Sequence, residues 1–206
     1  MKRSVDREYW ESLKKRFYER MIRDRYIGYL DPGIEEVLEK IFRIRNAFPT
    51  SSCSGRIYVV DAVYPWMRRG SHVVFKKHAE ITEEEMLSIT KMPTINSLWL
   101  IVSGPIIHVN SFDSGTALKI LRVAREAGFK HSGVLSKSRR GYLVEVISGV
   151  RLDLLIKRGD MLLINVNNIS VFLETINNAF RAGRERLKRF SQALEKLVSE
   201  ESLRST

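Results

Sequence analysis

The chain is poor in residues that staple or metallate small proteins. Its 206 residues include one cysteine and four histidines, so an internal disulfide is excluded and the scattered histidines lack the spacing of a structural zinc site. Long apolar runs are also missing. Stretches such as Trp99-Leu100-Ile101-Val102 are far shorter than the roughly 20 residues a membrane-spanning helix needs. The first residues carry charge where a secretory signal carries an apolar stretch, which predicts a cytoplasmic protein with no membrane partner and no metal. Apolar residues still make up 44% of the chain, enough for a packed core, and one domain spanning 1–206 is expected.

Negative charge is in short supply: 35 Lys and Arg face 24 Asp and Glu, a net charge of +11. The excess is clustered. Lys2, Arg3, Arg7, Lys14, Lys15, Arg16, Arg20, Arg23 and Arg25 crowd the first segment, Lys137, Arg139 and Arg140 fall together, and Arg181, Arg184, Arg186, Lys188 and Arg189 lie near the carboxyl end. Separate basic clusters suit a polyanion that touches several surfaces. Interleaved Glu8, Glu11, Glu19 and Glu185 also fit a charged, thermophile-like surface. Nucleic acid is the favoured partner.

Apolar periodicity predicts a first helix from a Ser4 cap to about Arg25, with Val5, Tyr9, Leu13, Phe17 and Met21 every fourth residue. Asp31-Pro32 reads as the start of a second helix with a stripe at Ile34, Val37, Leu38, Ile41 and Phe42, ended by Pro49. Thr82-Glu83-Glu84-Glu85 has capping-box spacing, Asp113-Ser114 opens a helix that Gly128 closes, and a long basic helix covers about 168–199. Strands are expected at 57–63, 72–76, 98–102, 106–109, 142–147, 150–156 and 161–164. Trp66, beside Arg68 and Arg69, reads equally as a base-stacking ring or as cover for a core edge.

The stretch Thr50-Ser51-Ser52-Cys53-Ser54-Gly55-Arg56 follows neither a helix nor a strand period. It reads either as an ordinary turn before a strand or as a binding loop with hydroxyls, a glycine and an arginine fork for a charged group. A second Ser-Gly, Ser132-Gly133, follows the helix from Ser114. Two helix-strand-strand units, about 31–78 and 98–148, therefore predict an α+β protein with one mixed sheet and a composite cleft, not a Rossmann-type or any other doubly wound fold.

These motifs resemble the tRNA wybutosine-synthesising methyltransferases, the third protein of that pathway. The resemblance covers roughly Asp31 to Lys196 and rests on Thr50–Ile57 with Asp61, Ser71-His72, Pro105-Ile106-Ile107-His108-Val109, Gly128-Phe129-Lys130-His131-Ser132-Gly133 and the basic Arg184–Phe190 segment. It implies methyl transfer from S-adenosylmethionine to N(4) of the 7-aminocarboxypropyl-demethylwyosine base at position 37 of phenylalanine tRNA, in the anticodon loop. No Gly-x-Gly-x-x-Gly follows a strand, so the cofactor must be held in another way. Pro49-Thr50 stands where many relatives have paired threonines, and the Val-Pro-Leu expected after the Tyr142 strand is lost around Asp153-Leu154.

On that resemblance Ser52, Ser54, Gly55, Ser132 and Gly133 are the expected cofactor-binding residues, because small side chains permit close approach. His72, His108 and Asp61 are the candidate bases, with His72 slightly ahead. Arg56, Lys76, Lys130 and His131 are assigned to the substrate, and Arg139, Arg140, Arg186 and Arg189 to outlying tRNA contacts. Cys53 lacks an activating neighbour and is read as packing. A non-catalytic tRNA- or RNA-binding protein is the alternative.

Overall fold

Capping residues set most helix ends. In the computed structural model, which describes residues 5–203, α1 (Arg7–Tyr26) begins at Asp6, whose carboxylate accepts from the Tyr9 N–H. The expected Ser4 cap lies outside the described residues. After α2 (Glu35–Arg43), Thr82 and Glu85 form both bonds of a capping box at α3 (Glu83–Lys91). Asp113 caps α4 (Ser114–Glu126). Gly128 follows it at φ +99°, a left-handed conformation that favours glycine. A short 3-10 turn, Val166–Asn168, leads into α5 (Ile169–Leu203).

The strands are β1 (Ala47–Cys53), β2 (Arg56–Asp61), β3 (His72–Lys77), β4 (Ser97–Ser103), β5 (Ile106–Ser111), β6 (Gly133–Ser138), β7 (Gly141–Ile147), β8 (Arg151–Arg158) and β9 (Met161–Leu162). With the helices they pack as two compact units. The first takes the chain up to Ser54, Pro105–Gly149 and Glu185 onward; the second takes Gly55–Gly104 and Val150–Arg184. The first contains a four-stranded sheet in the order β1-β5-β7-β6, the second a five-stranded sheet in the order β3-β2-β4-β8-β9. All neighbouring strands are antiparallel.

The α+β class and the long final helix match the sequence reading. The single mixed sheet does not: there are two antiparallel sheets, and the physical reason is a shared topological device. β5 and β6 run parallel on either side of β7, and α4 connects them; β3 and β4 run parallel on either side of β2, and α3 connects them. Each is a split β-α-β in which an inserted strand separates the parallel pair. Ser54-Gly55 and Gly104-Pro105 carry the chain from one sheet to the other, so neither is a hairpin turn. Ser132-Gly133 instead leads into the β6-β7 hairpin of one sheet.

In the first unit α1, α2, α4 and the second half of α5 pack on the sheet, with Trp10 of α1 meeting the Phe48-Asn110 pair. Trp10, Ile41, Phe48, Ile107, Val109, Val144, Val146 and Phe190 form its buried centre. The indole N–H of Trp10 donates to Asn110 Oδ1 at 2.6 Å, the partner a buried tryptophan requires. In the second unit α3 and the first half of α5 bury Ile57, Leu100, Val102, Met86, Ile89 and Phe180.

Two local expectations are corrected. Pro49 does not end α2, which stops at Arg43; it sits in β1, an edge strand, where its missing N–H is tolerated. Thr50 to Cys53 is therefore strand, with a bulge between Pro49 and Ser51. Asp31 does not cap α2; its Oδ2 accepts from the Ser54 N–H at 2.9 Å and fixes the end of β1.

Candidate active site in the first unit

Register brings the serine-rich segment together with the other motifs. Ser51 lies opposite His108, His108 opposite Glu145, and Glu145 opposite Gly133, so one row crosses all four strands. Paired residues share a sheet face, and the alternation places this row opposite the buried Ile107 and Val146. Ser51 Oγ is 2.8 Å from His108 Nδ1, and Glu145 Oε1 is 3.2 Å from Nε2. A carboxylate only accepts, so Nε2 carries the hydrogen and Nδ1 takes the Ser51 hydroxyl. His108 and Glu145 are about a quarter exposed, at 27% and 24%.

A second row, Cys53, Ile106 and Ile147, lies nearer the end of the sheet. Ser132 Oγ accepts from the Ile147 N–H at 3.1 Å, and its carbonyl accepts from Arg125 Nη2 at 3.1 Å. The buried Ser54 and Ser132 therefore sit at the same end of one sheet. Ser52, across from Ile107, is on the other face; Ser51 is the residue that meets His108.

The His131 ring lies against Gly149: a Cβ built there falls 2.7 Å from its Cδ2, so any larger residue displaces the ring. Arg186 reaches the same corner, donating from Nη1 to Ser148 Oγ at 3.3 Å, with its stem along Gly128. Lys130 is exposed beside it. Arg139 and Arg140 form the turn at the other end of the β6-β7 hairpin, about 20 Å away along a strand of this length. Arg189 is exposed on α5, in a small cavity of about 290 Å³ with Arg122, Gln192 and Lys196.

The second unit holds the remaining candidates. Arg56 stacks over Tyr58, 4.9 Å from its ring centroid, and Lys76 lies opposite Tyr58 on the same face. The Gly55 carbonyl is 3.0 Å from His78 Nδ1, and Gly55 has φ +94°. His72 is exposed at the start of β3. Asp61 is buried; its two oxygens accept from the Ile95 and Asn96 N–H groups at 2.7 and 2.9 Å.

Burial alone raises the Asp61 carboxyl. The bonds from Ile95 and Asn96, with side-chain bonds from Thr94 and Asn96, outweigh it and hold the group below the usual carboxylate range. Asp61 thus holds the loop before β4. Asp61→Asn is expected to destabilise the protein by about 2–3 kcal/mol at neutral pH. Because the folded-state value is depressed, that stability is present above the ordinary 3.8 and is lost as pH falls through the folded value. Urea titrations of both proteins from pH 7 to 3 should show the gap closing; a constant gap refutes this role.

The comparison with known proteins decides the family. Residues 7–196 match the family described as Methyltransferase TYW3. The chain belongs to this family. A Saccharolobus solfataricus relative is 38% identical over 179 residues, 86% of either chain. An Aeropyrum pernix relative is 35% identical over 179 residues, 86% of this chain and 95% of that one. Both are named tRNA(Phe) 7-((3-amino-3-carboxypropyl)-4-demethylwyosine(37)-N(4))-methyltransferase. A solved Pyrococcus horikoshii structure superposes with a TM-score of 0.84 at 31% identity, covering 91% of this chain and 96% of that chain. One from Aeropyrum pernix gives 0.73 at 32%, covering 81% and 98%.

A TYW3-family methyltransferase needs a methyl donor, and the Ser51-His108-Glu145 face fits one. Gly133 ends the row, has no positive φ, and has no heavy atom within 4 Å of where a Cβ would stand. Neither backbone strain nor packing within the chain requires glycine there, and the open space is what a ligand against the backbone would occupy. Ser51, Glu145, Ser148 and Gly149 join the candidate residues only in the structure. Ser51 was hidden by the bulge, which decides which serine faces His108, and Glu145 lies in a strand that gave no local signal.

Proposed function

We propose that this chain transfers a methyl group from S-adenosylmethionine to N(4) of the demethylwyosine base at position 37 of tRNA(Phe), on the His108 face of the first unit's sheet. The carrying observation is the Ser51-His108-Glu145 row ending at the open backbone of Gly133. The relatives' shared name supplies the reaction. S-adenosylmethionine supplies an electrophilic methyl on a sulfonium, so the protein must align the reacting atoms and accept a proton.

The chain's residues divide that work. Gly133 leaves room at the backbone, and Ser54 and Ser132 set the strand ends that border the site. Ser51 Oγ accepts the proton leaving the substrate nitrogen as its own hydroxyl proton passes to His108 Nδ1. Glu145 holds Nε2–H and balances the imidazolium that forms. His108, with a partner on each nitrogen, fits this role better than His72. His131 and Arg186, held against Gly149 and Ser148, offer donors to the substrate's aminocarboxypropyl group or a neighbouring phosphate. The anticodon-loop base is single-stranded, so presenting it costs little unstacking.

Among the described residues no helix is long and apolar enough to cross a membrane, which supports a cytoplasmic setting alongside tRNA. The test is transfer of labelled methyl from S-adenosylmethionine to hypomodified tRNA(Phe), with the product nucleoside identified by mass spectrometry. Label on N(4) is the expected result. tRNA binding with neither transfer nor cofactor affinity overturns the reading in favour of an RNA-binding protein.

A further inference from the structure

The first unit carries a feature that methyl transfer does not use. A cleft of about 690 Å³ opens between α1 and α2, lined by Trp10, Tyr18 and Phe42 and by Lys15, Arg43 and Arg45; its two carboxylates, Glu11 and Glu39, are already paired with Arg7 and Arg25. Arg43 and Arg45 also border a neighbouring cleft of about 490 Å³ that reaches Lys119. The two arginines stand on the ridge between the clefts.

The charge here is poorly compensated. Among the described residues Arg43 and Arg45 are exposed and make no ion pair, and Lys15 has only Glu19 at 4.0 Å, with 80% of its side chain exposed. The walls are fixed. Lys14 Nζ donates to the Ile44 and Arg45 carbonyls at 2.7 and 3.1 Å, and Arg7 donates to Asn46, which donates to the α4 cap Asp113. Burial pushes the Lys14 ammonium down to about 8, and nearby Arg7 adds to the fall against Glu201 and Glu11.

A free inorganic anion needs no aromatic lining. A nucleotide has both parts: a phosphate for the arginine ridge and a planar base for Tyr18, which is 47% exposed. The volume lies in the range that holds a nucleotide-sized group. The occupant also has to reach a protein that acts on RNA.

We infer that the α1/α2 cleft and the Arg43-Arg45 ridge dock the phosphodiester backbone of the tRNA, outside the Ser51-His108-Glu145 row. This rests on tRNA being the substrate.

The experiment uses the full chain and the double variant Arg43→Gln/Arg45→Gln, titrated against fluorescently labelled hypomodified tRNA(Phe) from 50 to 200 mM salt. The variant is expected to bind about tenfold more weakly at 100 mM. Its log–log salt slope should be shallower by about 1.5–2, the loss of two phosphate contacts. KM for tRNA should rise in step, with kcat, S-adenosylmethionine affinity and melting temperature unchanged. Equal affinity and slope in the two proteins overturn the docking site and leave the proposed reaction standing. Failure of the unsubstituted protein to bind tRNA overturns the proposed reaction, and the docking site with it.

Discussion

His108→Gln should lower kcat for methyl transfer by about 10²- to 10⁴-fold with little change in S-adenosylmethionine affinity. Glutamine can still reach Ser51 and Glu145 by hydrogen bonds but cannot take up a proton near neutral pH. The side chain is partly exposed and outside the buried core, so the melting temperature should hold and any fall in rate is chemical. Ser51→Ala should act in the same direction with a smaller loss, because water can replace the hydroxyl between substrate and Nδ1. Initial rates on hypomodified tRNA(Phe), with calorimetric cofactor binding alongside, check both. An unchanged kcat in His108→Gln removes this residue from the proton path and returns attention to His72.

Gly133→Val should weaken S-adenosylmethionine binding by at least about tenfold, roughly 1.4 kcal/mol, without destabilising the fold. The strand at this point has no positive φ, and nothing of the protein lies within 4 Å of the added Cβ. A β-branched residue suits a strand better than glycine does, so the melting temperature should stay level or rise. The added Cβ itself meets no protein atom within 4 Å, so a bound ligand is what the bulkier side chain is expected to exclude. Calorimetry with a parallel thermal melt separates the outcomes. Full cofactor affinity in a folded variant shows that the donor lies elsewhere, whereas loss of both affinity and folding contradicts the open space seen here. Gly149→Ala provides the contrast: its Cβ meets His131, so it should disturb the substrate corner.

Local chemistry in the sequence located the helices well. The Thr82-Glu85 capping box, the Asp113 cap and the Gly128 stop each depend on bonds within a few residues, and each appears where the spacing placed it. Asp31 shows where that reasoning fails. An Asp-Pro pair has the chemistry of a helix start, but Asp31 is drawn to the Ser54 N–H, 23 positions along the chain, a partner no local rule can name. Pro49 was misread for a related reason. A proline breaks a helix or tolerates a strand edge equally well, and only sheet order shows that β1 is an edge.

By itself the sequence determined the α+β class, the basic character, the caps of α3 and α4 and the motif set that resembles this family, because all of these depend on composition, short-range bonds and residue spacing. Tertiary structure alone decided that the strands divide into two antiparallel sheets and that Ser51, not Ser52, meets His108. It also decided that Glu145 completes the row and that the Arg43-Arg45 ridge is left without counter-charges. Register is the physical reason: side chains alternate faces with a period of two, so a single bulge in β1 reassigns which residues converge. No pattern within one strand specifies its partner three strands across the sheet.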